Sequence, residues 1–67
     1  MHELKRIRRM HKLTHQDMAE KLKISKAFYW QIENGKRRLS YQMAVKIAKI
    51  FNMKPDEIFY EEFKNKD

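Results

Sequence analysis

A chain of 67 residues with one glycine, one proline and no cysteine has room for one small domain, without an elaborate catalytic cleft. The lack of cysteine excludes disulfides and thiolate metal sites and is typical of a cytoplasmic protein. No apolar run approaches the length of a membrane span, and the start does not resemble a secretion signal. We therefore expect one cytoplasmic domain over residues 1–67.

The net charge of +7 is unevenly distributed along the chain. Residues 1–12 carry five Lys or Arg and one acid, residues 13–34 are balanced, residues 35–54 carry six cations and no acid, and residues 55–67 are acidic. A neutral central segment is thus flanked by two cationic ones. This pattern favours a polyanionic partner that binds one side of the molecule.

The first two helices are predicted from apolar spacing and a cap. Leu4 and Ile7 recur at helical spacing, which predicts a helix over about 2–12. Thr14 precedes Asp17 by three residues, a capping-box pattern that opens a second helix over about 15–22.

A third helix follows after a short turn. Ser25 is its N-cap, and Tyr29 and Ile32 form its inward side, which predicts a helix over about 26–34. Asn34 and Gly35, the single glycine of the chain, predict a left-handed C-terminal stop.

The remaining elements are also helical. Ser40 caps a fourth helix over about 41–51, which Asn52 closes in the left-handed region, and Pro55 opens a fifth helix over about 55–63. Residues 64–67 are expected to form a tail, of which Asn65-Lys66-Asp67 is frayed. The sequence therefore predicts an all-α fold of five helices, with Tyr29, Phe51 and Phe59 in its core.

The outward face of the third helix carries side chains that suit base recognition. Gln can pair with adenine through two hydrogen bonds, Lys can donate to guanine, and a small Ala permits close approach. With Tyr29 and Ile32 turned inward, the residues that point outward are Lys26, Ala27, Trp30 and Gln31. We interpret this helix as the one that reads DNA bases in the major groove.

The chain closely resembles the phage-repressor and Cro-type helix-turn-helix family over about residues 4–59. The residues that carry the resemblance are Leu13-Thr14, Met18-Ala19, Leu22, Ile24-Ser25, Ile32-Glu33-Asn34-Gly35-Lys36-Arg37, Lys46-Ile47-Ala48-Lys49 and Asp56-Glu57-Ile58-Phe59. The resemblance implies a compact five-helix, lambda-repressor-like DNA-binding domain, with the helix-turn-helix formed by helices 2 and 3. It also implies a homodimer that regulates transcription.

The same resemblance implies roles for individual residues. It assigns base contacts to the outward face of the third helix and an internal ion pair to Arg8 and Glu33. Together with the cationic loop after that helix, it gives a set of expected phosphate contacts: His15, Gln16, Phe28, Asn34, Lys36, Arg37 and Arg38.

Several residues depart from the pattern of the family. His15 replaces a usual glutamine, and an imidazole can also donate to phosphate. Lys12 and Lys23 stand where the family often has glycine, which indicates a backbone with positive φ. A lysine in that conformation is strained by about 1 kcal/mol. Phe28 and Trp30 are bulkier than the usual residues, which affects the base code more than DNA binding itself.

Surplus apolar residues near the C-terminus allow two interpretations. Ile50, Tyr60 and Phe63 either seal the last helix onto the domain or form a self-complementary dimer patch. We favour the dimer, because relatives of this length commonly pair through helix 5 or the loop before it.

The main expectation is a DNA-binding repressor on a two-fold symmetric operator, and other classes of function fit the sequence less well. The three histidines lack ligand geometry, and the chain has no nucleophile–base arrangement or phosphate loop, so we expect no metal, cofactor, small-molecule ligand or enzyme activity. A restriction-modification controller or an antitoxin of the same fold is the nearest alternative. An RNA-binding or protein-interaction helical module is the alternative from a different class.

Overall fold

A computed structural model describes residues 2–64, and these residues form five α-helices and no strand. The helices are α1 (His2–Met10), α2 (His15–Leu22), α3 (Lys26–Glu33), α4 (Tyr41–Ile50) and α5 (Pro55–Phe63). The all-α prediction is confirmed. The predicted frayed tail includes residues 65–67, which lie outside the described residues. Within residues 2–64, no helix is long and apolar enough to cross a membrane.

Hydrogen bonds between the cap residue and the third helical residue hold the N-termini of four helices. At α2, Thr14 Oγ1 accepts from Asp17 N at 3.0 Å, and Asp17 Oδ2 accepts from Thr14 N at 2.9 Å. Ser25 and Ser40 accept from the third backbone N–H of α3 and α4 at 3.0 and 3.1 Å. At α5, Glu57 accepts from the backbone N–H before Pro55 at 2.7 Å. The predicted capping residues thus begin these helices where the sequence placed them.

The first four helices all end in the same way, with one residue in the left-handed region. These residues are Lys12, Lys23, Gly35 and Asn52, with φ between 56° and 69°. Each one donates to the carbonyl three residues back, and the next residue donates to the carbonyl five residues back. This pair of bonds is the Schellman motif.

The motif explains where the predicted helix ends were too long. α1 ends at Met10 rather than at residue 12, because Lys12 in the left-handed region cannot continue the helix. α3 and α4 end one residue earlier than predicted, at Glu33 and Ile50. Lys12 and Lys23 both adopt the positive φ that the sequence comparison with the family raised as a possibility.

One core unites the five helices. The fully buried members include Leu4, Met18, Tyr29, Ile47 and Phe59, and each comes from a different helix. The radius of gyration is 11.0 Å, close to the value of about 11 Å for a compact domain of this length. Among the residues described, the backbone of α5 lies close to α4 and α1 rather than to α2 or α3. The helix-turn-helix therefore forms one end of the molecule and keeps an open outer face.

Candidate nucleic-acid interface

The helix α3 is buried on one side and open on the other. Tyr29, Ile32 and Glu33 are buried on its inner side. On its outer side Lys26 and Ala27 are exposed, and 44% of Trp30 is accessible. Gln31, at the edge of this outer side, is half-buried. The four candidate base-reading residues thus share the outer side of one helix, and no other helix covers it.

A buried carboxylate connects α3 to the two preceding helices. Glu33 is 1% exposed. Arg8 of α1 binds it through two bonds, Nε to Oε2 at 2.7 Å and Nη2 to Oε1 at 3.0 Å. Tyr29 donates its hydroxyl to Oε2 at 2.7 Å. His15 of α2 places Nε2 3.2 Å from Oε1. One carboxylate therefore joins three helices and fixes the direction in which α3 points.

The electrostatics of this cluster favour the charged form of the carboxylate. Burial opposes ionisation of Glu33, but the hydrogen bonds from Arg8 and Tyr29 outweigh burial and lower the pKa of this carboxyl. Burial, followed by the bond to Glu33, raises the pKa of the Tyr29 hydroxyl above its ordinary value. Arg8 also donates through Nη1 to the carbonyl of Leu13 at 2.7 Å. A fork of this kind suits a planar guanidinium and no other side chain.

Two side chains at the start of α2 make contacts within the protein. The His15 ring is directed inward at Nε2, toward Glu33, and its centroid lies 6.0 Å from that of Tyr29. A phosphate contact from the same nitrogen therefore competes with Glu33. Gln16 is exposed, and its amide donates to Glu20 at 3.1 Å, within the same helix. No sequence signal pointed to the contact of His15 with Glu33.

The loop after α3 carries the cations that were expected to bind phosphate. Lys36, Arg37 and Arg38 are all exposed. Asn34 donates through its side chain to the carbonyl of Trp30 at 3.0 Å. Gly35, at φ 69°, begins the turn that brings this loop back alongside α3.

One cation of this loop binds back onto the helix, which sequence reasoning missed. Arg37 Nε donates to Oε1 of Gln31 at 3.0 Å. Its guanidinium carbon lies 4.4 Å from the centroid of the Phe28 ring. The loop and the outer edge of α3 therefore form a single surface.

Phe28 lies beneath Arg37, and the phosphate contact expected at this residue stays a prediction. Its side chain is half-buried against the core beneath Arg37 and has no polar atom. Its backbone N–H donates to Ser25 Oγ at 3.0 Å. The backbone N–H of Phe28 is thus engaged within the turn, and its ring contacts Arg37.

The three dimer candidates differ in their exposure. Ile50 and Phe63 are partly buried against the core. The Phe63 ring lies 6.0 Å from that of Tyr41 and 6.5 Å from that of Phe59, so it fixes α5 onto α4. Tyr60 is 59% exposed. Among the residues described, no three His, Asp or Glu side chains are grouped closely enough to hold a metal ion.

Comparisons with known proteins agree with this architecture. A family model described as helix-turn-helix matches residues 4–58. The chain is similar to a protein of Methanocaldococcus jannaschii named as an uncharacterized HTH-type transcriptional regulator, with 44% identity over 59 residues. That match covers 88% of this chain and 89% of the relative. No solved structure is significantly similar to this chain. On the family match and on the geometry of α2 and α3, the chain belongs to the helix-turn-helix family of DNA-binding proteins.

Proposed function

We propose that this protein is a sequence-specific, double-stranded-DNA-binding transcriptional regulator. It acts as a homodimeric repressor on a two-fold symmetric operator, and residues 1–67 form its single DNA-binding domain. The helices α3 of the two subunits enter successive major grooves about 34 Å apart on one side of the duplex.

The observation that carries this proposal is the open outer side of α3, bordered by an exposed cationic loop. Lys26, Ala27, Trp30 and Gln31 offer donors and apolar surface to base edges. Lys36 and Arg38 are exposed directly after the helix, where phosphates flank a groove-bound helix. Glu33 also supports the proposal, because its bonds to α1 and α2 hold α3 at a fixed angle.

The residues divide into two roles in this proposal. Base edges are read by Lys26, Ala27, Trp30 and Gln31. Phosphates are bound by the remaining polar candidates, which are His15, Gln16, Asn34, Lys36, Arg37 and Arg38. Phosphate contacts fix the register on the duplex, whereas base contacts decide which sequence is preferred.

Two exposed aromatic side chains support self-association. Tyr41 and Tyr60 are 60% and 59% exposed, and Phe63 lies beside Tyr41. With Ile50 at the end of α4, they form the apolar surface through which we propose that two copies pair. This surface belongs to α4 and α5, so it leaves α3 free to bind DNA.

Selection of bound sequences from a random duplex pool tests the proposal. We expect an enriched motif with two inverted half-sites whose centres are one helical turn apart. Gln31→Ala should weaken binding to that motif by about 1–3 kcal/mol and relax one position of each half-site. Sedimentation of the complex should give two chains per duplex. Enrichment of no sequence, or equal binding of single-stranded RNA in competition, would contradict the proposal.

A further inference from the structure

Arg37 lies across two side chains of the outer edge of α3. Its Nε donates to Gln31 Oε1 at 3.0 Å, and its guanidinium carbon is 4.4 Å from the centre of the Phe28 ring. Phe28 and Gln31 are three residues apart and therefore neighbours on one helix face. No carboxylate among residues 2–64 forms a salt bridge with Arg37. A hydrogen bond and a cation–π contact thus hold this guanidinium against α3.

This contact fixes the orientation of the Gln31 amide. A guanidinium can only donate, so the atom of Gln31 that faces it must be the carbonyl oxygen. The amide NH2 group is then turned away from Arg37. A glutamine that rotates freely can offer either a donor or an acceptor to a base, whereas this one offers its NH2 group in a set direction.

We propose that Arg37 is a specificity-determining residue that acts through Gln31. With its carbonyl engaged, Gln31 donates to a base that presents an acceptor in the major groove, such as purine N7 or thymine O4. It rejects cytosine, whose N4 amino group is itself a donor. Arg37 positions the amide and need not contact the base. This inference rests on the proposed function and specifies one element of its base code.

The test begins from the motif selected by the wild-type protein. The position that Gln31→Ala relaxes identifies the base that faces Gln31. Duplexes with each of the four bases at that position are then titrated with wild type and with Arg37→Lys, which keeps a positive charge but loses Nε and the planar group. For wild type we expect the ratio of affinities, preferred base over cytosine, to be about 3 to 10, which corresponds to one net hydrogen bond. In Arg37→Lys this ratio should fall to about twofold or less.

Three further variants separate positioning from charge. Arg9→Lys changes an exposed arginine of α1 in the same way and should keep the wild-type ratio. Phe28→Leu removes the ring beneath Arg37 and should lower the ratio in part. Adding Arg37→Lys to Gln31→Ala should change the base profile no further, because both act on the same contact. Circular dichroism of each variant checks that the helices are retained.

The two ways of failing are distinct. If Arg37→Lys retains the discrimination against cytosine while Gln31→Ala removes it, Arg37 is only a phosphate-binding charge, and the inference is wrong although the proposed function stands. If wild type accepts cytosine as readily as a purine at that position, the inference is also wrong. If wild type selects no sequence at all, the proposed function fails first.

Discussion

Tyr29 donates its hydroxyl to Glu33 at 2.7 Å across one turn of α3, and both side chains are almost completely buried. The bond lies on the inner side of the helix whose outer side we propose reads DNA. It therefore stabilises the position of that helix without approaching the nucleic acid.

Tyr29→Phe removes this hydroxyl and keeps the ring. We expect the free energy of unfolding to fall by about 1.5 kcal/mol, because a buried carboxylate loses one of its donors. Urea unfolding of wild type and variant at pH 7 measures the change. Tyr41→Phe removes a hydroxyl from a ring that is 60% exposed and should change stability by about 0.5 kcal/mol or less. Equal effects of the two substitutions would contradict a stabilising role for this bond.

The acid stability of the protein should depend on Glu33. Its pKa in the folded state is lowered from the ordinary value of 4.5, so the unfolded chain binds a proton first as the pH falls. The stability that this carboxylate contributes is complete above pH 4.5 and is lost as the pH falls through its folded pKa.

Glu33→Gln has no proton to bind at this position and tests that expectation. The variant should be less stable than wild type at pH 7, because a neutral amide is a poorer partner for Arg8. As the pH falls below 5, its free energy of unfolding should decline less steeply than that of wild type. Part of the pH dependence of stability should remain in the variant because of Asp17, since the backbone N–H of Thr14 also lowers the pKa of that carboxyl. Parallel slopes in this range would show that Glu33 does not govern acid unfolding.

Two lysines at the end of the second helix, one inside it and one just beyond it, should respond to glycine in opposite ways. Lys23 is exposed at φ 59°, where an L-residue is strained by about 1 kcal/mol. We expect Lys23→Gly to raise the free energy of unfolding by about 0.5–1 kcal/mol.

Lys21 is the matched control, two residues earlier and within α2. Lys21→Gly should lower the free energy of unfolding by about 0.5–1 kcal/mol, because glycine disfavours helix. Urea unfolding of both variants gives the two signs directly. Destabilisation by Lys23→Gly would mean that the lysine side chain contributes a contact larger than the backbone strain.

Lys36 should act on DNA affinity without acting on sequence preference. Lys36→Ala is expected to weaken binding to selected and random duplexes by the same factor. The slope of log affinity against log salt should become shallower by about 0.9 per subunit, the value for one lost phosphate contact. Lys46→Ala, on the exposed side of α4, should leave both quantities unchanged. A change in base preference for Lys36→Ala would contradict the proposed phosphate contact and indicate that Lys36 reads a base.

The helices and their caps were predictable because their signals are local. Thr14 with Asp17, Ser25, Ser40 and Pro55 each act within one helical turn, and each begins a helix where expected. The end of α1 was the least accurate, because Lys12 adopts the conformation usually given to glycine. No local pattern marks such a residue.

The contacts of the site that were missed all depend on tertiary structure. The bond from Arg37 to Gln31 requires the loop to fold back after Gly35, and no sequence pattern at either residue predicts that bond. The contact between His15 and Glu33 joins residues 18 positions apart across two helices. The outer side of α3, in contrast, was predictable because helical periodicity alone separates it from Tyr29 and Ile32.

The attachment of α5 has a consequence for how the protein meets its target. Asp56, Glu57, Glu61 and Glu62 belong to a helix whose backbone lies close to α4 and α1 rather than to α2 or α3, whereas Lys36, Arg37 and Arg38 lie directly after α3. Cations beside α3 are therefore separated along the fold from the acids of α5. In the field of a nearby duplex we expect this charge asymmetry to turn the cationic loop toward the DNA before contact, so that a larger fraction of diffusive collisions becomes productive, most of all at low ionic strength.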